Sequence, residues 1–252
     1  MGMHLEARSS DSPWVASVWT CRSERVVEMT SVATETWGLV FWEQDAKAYA
    51  TVTGPESRTS TATVPEGATF VGIQFAVGTS LRMIPTFALV DAGIELPDAT
   101  PRRFWLVGAR WETPCSDDAE ALVDRLVQHD VVVRDPVVTA VMNGRRTAVT
   151  DRTVERRFRA STGLSRRSIG QIGRARAAAE RLASGGVVGE VVSSLGYYDE
   201  PHLARALRRY VGRTASQLRT GAGGALALSV SAHDVVEEFD DPVGVRRGLP
   251  ER

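Results

Sequence analysis

Val187-Val-Gly-Glu-Val-Val-Ser-Ser-Leu-Gly-Tyr-Tyr-Asp-Glu-Pro-His-Leu-Ala-Arg-Ala-Leu-Arg-Arg-Tyr-Val-Gly-Arg-Thr-Ala-Ser-Gln-Leu-Arg219 is the stretch that decides how the chain is read. Val188, Val191, Val192 and Leu195 recur at i, i+3, i+4 and i+7, and Leu203, Ala206, Leu207 and Tyr210 repeat that spacing. Each of two short helices therefore carries one apolar stripe to bury. Gly196 permits a sharp turn between them, Asp199 can cap the second helix, and Pro201 is tolerated in its first turn because no intrahelical N–H is lost there. With Leu203, Leu207 and Tyr210 inward, a rotation of about 100° per residue turns Arg205, Arg208 and Arg209 outward. Such a hinged pair with a cationic outer face suits insertion into a DNA groove.

The charge of the whole chain hides this cationic module. The 252 residues sum to −1, yet residues 145–219 hold sixteen Arg, no Lys and six acids, a net +10. Residues 1–144 carry −8 and residues 220–252 carry −3. Segregation of this kind points to a polyanion-binding segment attached to a part that does not itself bind nucleic acid.

Gly196-Tyr-Tyr-Asp199, His202-Leu-Ala-Arg205, Arg208-Arg-Tyr, Gly212, Thr214 and Arg219 resemble the second half of the signature of AraC-type bacterial transcription regulators. Thr150-Asp-Arg-Thr-Val-Glu-Arg-Arg-Phe158, Thr162-Gly-Leu-Ser165 and Arg174-Ala-Arg-Ala-Ala-Ala-Glu-Arg-Leu182 resemble its first half and connecting helix. The resemblance covers roughly residues 135–219. Ala215, Arg166 and Leu203 depart from it where the family usually has proline, proline and phenylalanine. It implies an all-α domain with two helix-turn-helix units over residues 135–219.

The residues support the first unit too. Thr150 can cap a helix that turns Val154 and Phe158 inward and leaves Arg152, Arg156 and Arg159 outside. Its partner helix falls between Asp135 and about Met142, with Val137, Val138 and Val141 inward. Arg167 to Ala183 reads as one connecting helix near 25 Å long at 1.5 Å per residue, able to hold two reading helices about one DNA turn, or 34 Å, apart. Gly170 and Gly173 in its first turns each cost up to about 1 kcal/mol relative to alanine, so a bend or a late start is expected. Ala175, Ala178, Ala179 and Leu182 give it a small-residue stripe to bury.

Positions corresponding to the family's groove-facing residues are Arg152, Glu155 and Arg156 in the first unit and Glu200, His202 and Arg205 in the second. Arginine can take the O6/N7 edge of guanine bidentately, and a carboxylate can accept from cytosine N4; Glu200 has the alternative role of favouring the helix dipole. Arg166, Arg208, Arg209 and Arg213 are expected at phosphates, which fix register without reading sequence.

The first half reads differently. Trp14–Thr20, Trp37–Trp42, Ala48–Thr53 and Thr69–Phe75 are strand signals, separated by turn candidates at Glu43-Gln-Asp, Thr53-Gly-Pro-Glu and Pro65-Glu-Gly. Residues 1–134 are expected to form a β-rich barrel or sandwich, cupin-like by the resemblance, so the fold class is α+β. All six tryptophans lie here. They fill a core, or Trp37, Trp42 and Trp105 line a pocket for a small apolar effector; six large rings favour the core. With only His4 and His129 and no H-x-H spacing, no metal and no cofactor are expected. Ser116 is the expected N-cap of a helix to His129 that packs on the barrel or on a second subunit. Cys21 and Cys115 match no C-x-x-C pattern and are expected to be buried thiols. No apolar run reaches membrane-span length and the start carries no signal-peptide stretch, so a cytoplasmic location is expected. Residues 220–252 read as a flexible linker and tail.

These readings lead to a sequence-specific regulator that binds double-stranded DNA, tuned by a small molecule or partner at its first half, with a second copy and RNA polymerase as further candidate partners. The alternatives are a ligand-independent regulator whose first half only dimerises, and a cupin-type enzyme fused to a DNA-tethering module. Against the enzyme stand the lack of a G-x-S-x-G, a P-loop, a metal-ligand cluster or an acid/base pair.

Overall fold

The computed structural model describes residues 3–223. Most of the tail read from the sequence lies outside them. The strands of the first half are β1 Met3–Ser9, β2 Val15–Ser23, β3 Val27–Ser31, β4 Gly38–Gln44, β5 Lys47–Thr53, β6 Ser60–Val64, β7 Thr69–Phe75, β8 Thr79–Leu81, β9 Gly93–Glu95, β10 Arg103–Leu106 and β11 Ala109–Glu112. A short 3-10 turn, Thr86–Leu89, sits between β8 and β9. Helix α1, Ala119–Gln128, and strand β12, Val132–Arg134, lead into the helices α2 Pro136–Met142, α3 Asp151–Thr162, α4 Arg166–Ala183, α5 Val188–Ser194, α6 Glu200–Tyr210 and α7 Ala215–Thr220.

All four strand runs read from the sequence fall in a six-stranded antiparallel sheet of order β1-β2-β7-β4-β5-β9. Alternation sends Val18, Leu39, Phe41, Ala50, Val52, Ile73 and Phe75 into a core, as the two-residue period of a strand requires. Leu122, Val123 and Leu126 of α1 pack in that core with Phe104, Leu106 and Trp111 of the β10–β11 pair. This corrects the expected barrel. The sheet runs from β1 to β9 without closing, and a helix and a hairpin share its core. The α+β class holds.

Two local expectations change for long-range reasons. Helix α1 starts at Ala119, not after Ser116. The Arg8 guanidinium donates to the Ser116 carbonyl and to Glu120, while the Asp118 carboxylate accepts from the Cys115 N–H, so the segment before the helix is held by partners instead of capping it. Cys21 is buried as expected, but Cys115 is exposed in the loop that these contacts define.

The helical half has its own core of Val154, Phe158, Ile172, Ala175, Ala178, Ala179, Leu182, Leu203, Leu207 and Leu218. Val32, Ala33 and Val77 of the β-rich half belong to the same cluster. The boundary read at 134/135 is therefore a change of secondary structure across which packing continues. Arg176 of α4, only 6% exposed, donates 3.1 Å to the Ala33 carbonyl across this seam. Both helices with outward arginines also end against the β-rich half on left-handed glycines. A Cβ on Gly163 (φ +72°) would lie 2.4 Å from Val90 Cγ2, and one on Gly212 (φ +72°) 2.7 Å from Thr30 Cγ2 and Thr59 Oγ1.

Candidate nucleic-acid interface

Two helix pairs flank α4; the caps of α3 and α6 are those read from the sequence, and Asp135 adds a third that the reading did not name. In the first pair, Asp135 Oδ1 accepts from the N–H groups of Val137 and Val138 to start α2, with Pro136 behind it. Thr150 accepts from the Thr153 N–H to start α3. In the second, Asp199 Oδ1 accepts from the His202 N–H at 2.7 Å to start α6. Each such cap satisfies one or two of the four N–H groups that a helix start leaves free. Ser165 does the same for α4, which therefore begins at Arg166, runs eighteen residues and is not delayed by Gly170 or Gly173. That corrects the expected late start; neither glycine has an atom within 4 Å of its would-be Cβ.

Burial on α3 and α6 is one-sided. Val154 and Phe158 are buried while Arg152 and Arg156 are exposed. On α6 Leu203, Leu207 and Tyr210 are buried while Glu200, Arg205, Arg208 and Arg209 are exposed. Losing Phe158 to alanine would cost about 3–5 kcal/mol, so the inward stripe fixes which arginines face out.

Glu155 is engaged within the protein. Its Oε1 accepts from Arg159 Nε at 2.9 Å and its Oε2 from the Arg166 N–H at 3.3 Å, joining α3 to the start of α4. His202 is positioned by its turn: Nδ1 accepts from the Tyr198 N–H at 3.3 Å and the ring stands edge-on to Tyr197. That leaves Nε2 as the donor of the neutral imidazole. Arg166 is half-buried, and Arg213 is half-buried with its guanidinium donating to the Gly223 carbonyl. Arg208 and Arg209 stay exposed, the latter with its guanidinium 5.4 Å from the Tyr210 ring centre.

Two side chains at this face escaped the sequence reading. Tyr198, 91% exposed, stands in the turn before α6; an aromatic on no apolar stripe, next to a cap, was the available signal. Arg174 of α4 lies 5.3 Å from the Tyr197 ring centre. Its outward helical position was legible, but the ring it meets comes from another part of the chain.

The three tryptophans offered as an effector pocket do not come together. Trp37 is 2% exposed, stacks on Phe75 at 3.8 Å and donates to the Thr79 carbonyl, which makes it core. Trp105 lies under the Arg110 guanidinium. Trp42, stacked on Tyr49 at 4.8 Å, lines an open cleft of about 550 Å³ with Phe41, Glu43, Thr69, Thr113 and Cys115. Among the described residues no group of three or more His, Cys, Asp or Glu is placed to hold a metal ion, and no helix is long and apolar enough to cross a membrane.

Residues 144–221, about a third of the chain, match a family model described as a helix-turn-helix domain. The match takes in α3 to α7 and begins just after α2. It supports a DNA-binding transcription regulator of AraC type, with DNA as partner. No curated protein and no solved structure matches the chain.

Proposed function

We propose that the chain is a sequence-specific transcription regulator in which α2–α3 and α5–α6 are two helix-turn-helix units reading adjacent major grooves. The observation that carries this is the one-sided burial of α3 and α6 at the two flanks of a single rigid helix, α4, which spans about 27 Å at 1.5 Å per residue. Arg152 and Arg156 in the first unit, and Glu200, His202 and Arg205 in the second, face the bases; Glu155 braces α3 against α4. Arg208 and Arg209 meet phosphates, with Arg166 and Arg213 beside them. Docking of both reading helices on the β-rich half holds their other ends towards DNA, the orientation in which a recognition helix presents its first turns to base edges.

The β-rich half, residues 1–134, tunes this module by taking a small molecule in the cleft at Trp42. A second reading, in which that half only pairs two chains, is favoured by its aromatic outer face, where Trp42 stacks on Tyr49 and Phe70.

Selection of bound duplexes from a random library with purified protein tests the reading of DNA. A bipartite motif with half-sites about one helical turn apart is expected; a motif confined to one half-site would leave a single reading unit, and no enrichment would end the proposal. A thermal-shift screen of the parent and Trp42→Ala separates the two readings of the first half: a ligand shift that the substitution abolishes supports sensing.

A further inference from the structure

Helices α4 and α6 meet along a cleft of about 190 Å³ that adjoins the base-facing positions His202 and Arg205 and reaches past them to Arg174 and Tyr197. Arg174, Arg205, Arg209, His202 and Tyr197 line it with Gln171, and no carboxylate does. The three arginines form no ion pair among the described residues. Two of them are held in place by rings: Arg174 over Tyr197 and Arg209 over Tyr210. Cation–π contacts of this kind fix the guanidinium while leaving its N–H groups free.

The remaining lining groups offer donors as well. Gln171 Oε1 accepts from the Tyr210 hydroxyl at 3.0 Å, which leaves the amide N–H groups. His202 Nδ1 accepts from the Tyr198 N–H, which leaves Nε2–H. Tyr197 is 6% exposed and its hydroxyl has no hydrogen-bond partner among the described residues. Burial pushes that hydroxyl up to about 12, against the opposing pull of Arg174, so at neutral pH it keeps its proton and can donate.

Like charges gathered around a hollow repel one another, and a buried donor without a partner is costly. A tetrahedral oxyanion relieves both. We propose that the α4–α6 cleft is a phosphate-binding site, taking one phosphate group between Arg174 and Arg209, beside the base-facing Arg205, with the Tyr197 hydroxyl as a further donor. The volume falls below the roughly 300–1,000 Å³ of pockets for drug-sized ligands, which suits one phosphate group inside the cleft with whatever it is attached to outside. That phosphate is either a phosphodiester of bound DNA or a free phosphate, and only the first case rests on the regulator reading.

The test uses the full chain in two arms. Inorganic phosphate is titrated calorimetrically into the parent, Arg174→Gln and Tyr197→Phe without DNA, with circular dichroism confirming that each is folded. Separately, a duplex carrying one neutral methylphosphonate at each backbone position in turn is bound to the parent and to Arg174→Gln. Saturable phosphate binding that weakens roughly tenfold or more in Arg174→Gln, the scale of a lost charge-assisted hydrogen bond, and less in Tyr197→Phe, supports a free-phosphate site. A single methylphosphonate position that weakens the parent and leaves Arg174→Gln unaffected, with a salt slope lower by about one unit in that variant, supports a DNA phosphate. Phosphate binding that depends on Arg174 in a protein that binds no duplex would keep the site and remove the regulator reading. Arg174→Gln indistinguishable from the parent in both arms overturns the proposal.

Discussion

The carbonyl oxygen of Tyr210, the last residue of α6, accepts a 2.7 Å hydrogen bond from the N–H of Ala33, a residue with no exposed surface in the β-rich half. One residue earlier, the Arg209 carbonyl accepts from the Thr59 N–H at 2.9 Å. Carbonyls at a helix end lack intrahelical partners and are commonly satisfied by a cap or by water. Here the other half of the molecule supplies two donors. The position of α6 is thus fixed by two segments, around Ala33 and Thr59, that lie more than 140 residues away in sequence.

Gly212→Ala tests this seam. A left-handed alanine costs about 1–2 kcal/mol, and its Cβ would also stand 2.7 Å from Thr30 and Thr59. Gly185 has φ +90° with nothing within 4 Å of its would-be Cβ, so Gly185→Ala carries the backbone penalty alone. Urea denaturation should show Gly212→Ala clearly less stable than Gly185→Ala; equal losses would mean that the seam yields freely.

Arg152 and Arg208 are both exposed, on α3 and α6, yet their roles should separate. Arg152→Ala is expected to relax preference at one base pair by about 1–3 kcal/mol. Arg208→Ala should weaken every duplex alike and flatten the dependence of log K on log salt by about one unit. Titrations on matched and shuffled duplexes at several salt concentrations would show this, and uniform losses for both variants would erase the distinction.

Arg8 and Glu120 predict an acid-side effect. The Arg8 guanidinium, hydrogen-bonded at 2.6 Å, holds the Glu120 carboxyl down to about 2. A carboxylate depressed by folding stabilises the native state above its ordinary range near 4.3, and that contribution fades as pH falls through the depressed value. Arg8→Ala should therefore lower the denaturation midpoint at pH 7, with the gap to the parent closing between about pH 4 and 2. A gap that stays constant to pH 2 would contradict it. The pair is partly solvent-exposed, so high salt should shrink the effect.

Ala46 offers a gain. The β4–β5 turn places Asp45 at φ +51° and Ala46 at φ +60° between the paired residues Gln44 and Lys47. A two-residue turn of this kind strongly prefers glycine at its second position. Releasing about 1–2 kcal/mol of left-handed strain against about 0.5–1 kcal/mol of extra chain entropy, Ala46→Gly should raise stability by roughly 0.5–1 kcal/mol. A fall in the urea midpoint would count against the turn.

What sequence determined here is whatever one helix or strand settles within itself. The stripes of Leu203, Leu207 and Tyr210 and of Val154 and Phe158, the caps at Thr150 and Asp199, and the four strand runs all come from contacts between residues close along the chain, and the structure keeps them. Tertiary structure alone decided the rest, because those outcomes depend on pairs separated by a hundred residues or more or on how elements cross. The segment before α1 is tied to Arg8 through the Ser116 carbonyl and Glu120, Trp105 came to lie under Arg110 and away from the cleft at Trp42, and α1 and β10–β11 joined the core of a sheet that stays open. Arg174 faces a donor-lined cleft because α4 crosses α6 there, and no periodicity within either helix encodes where two helices will meet.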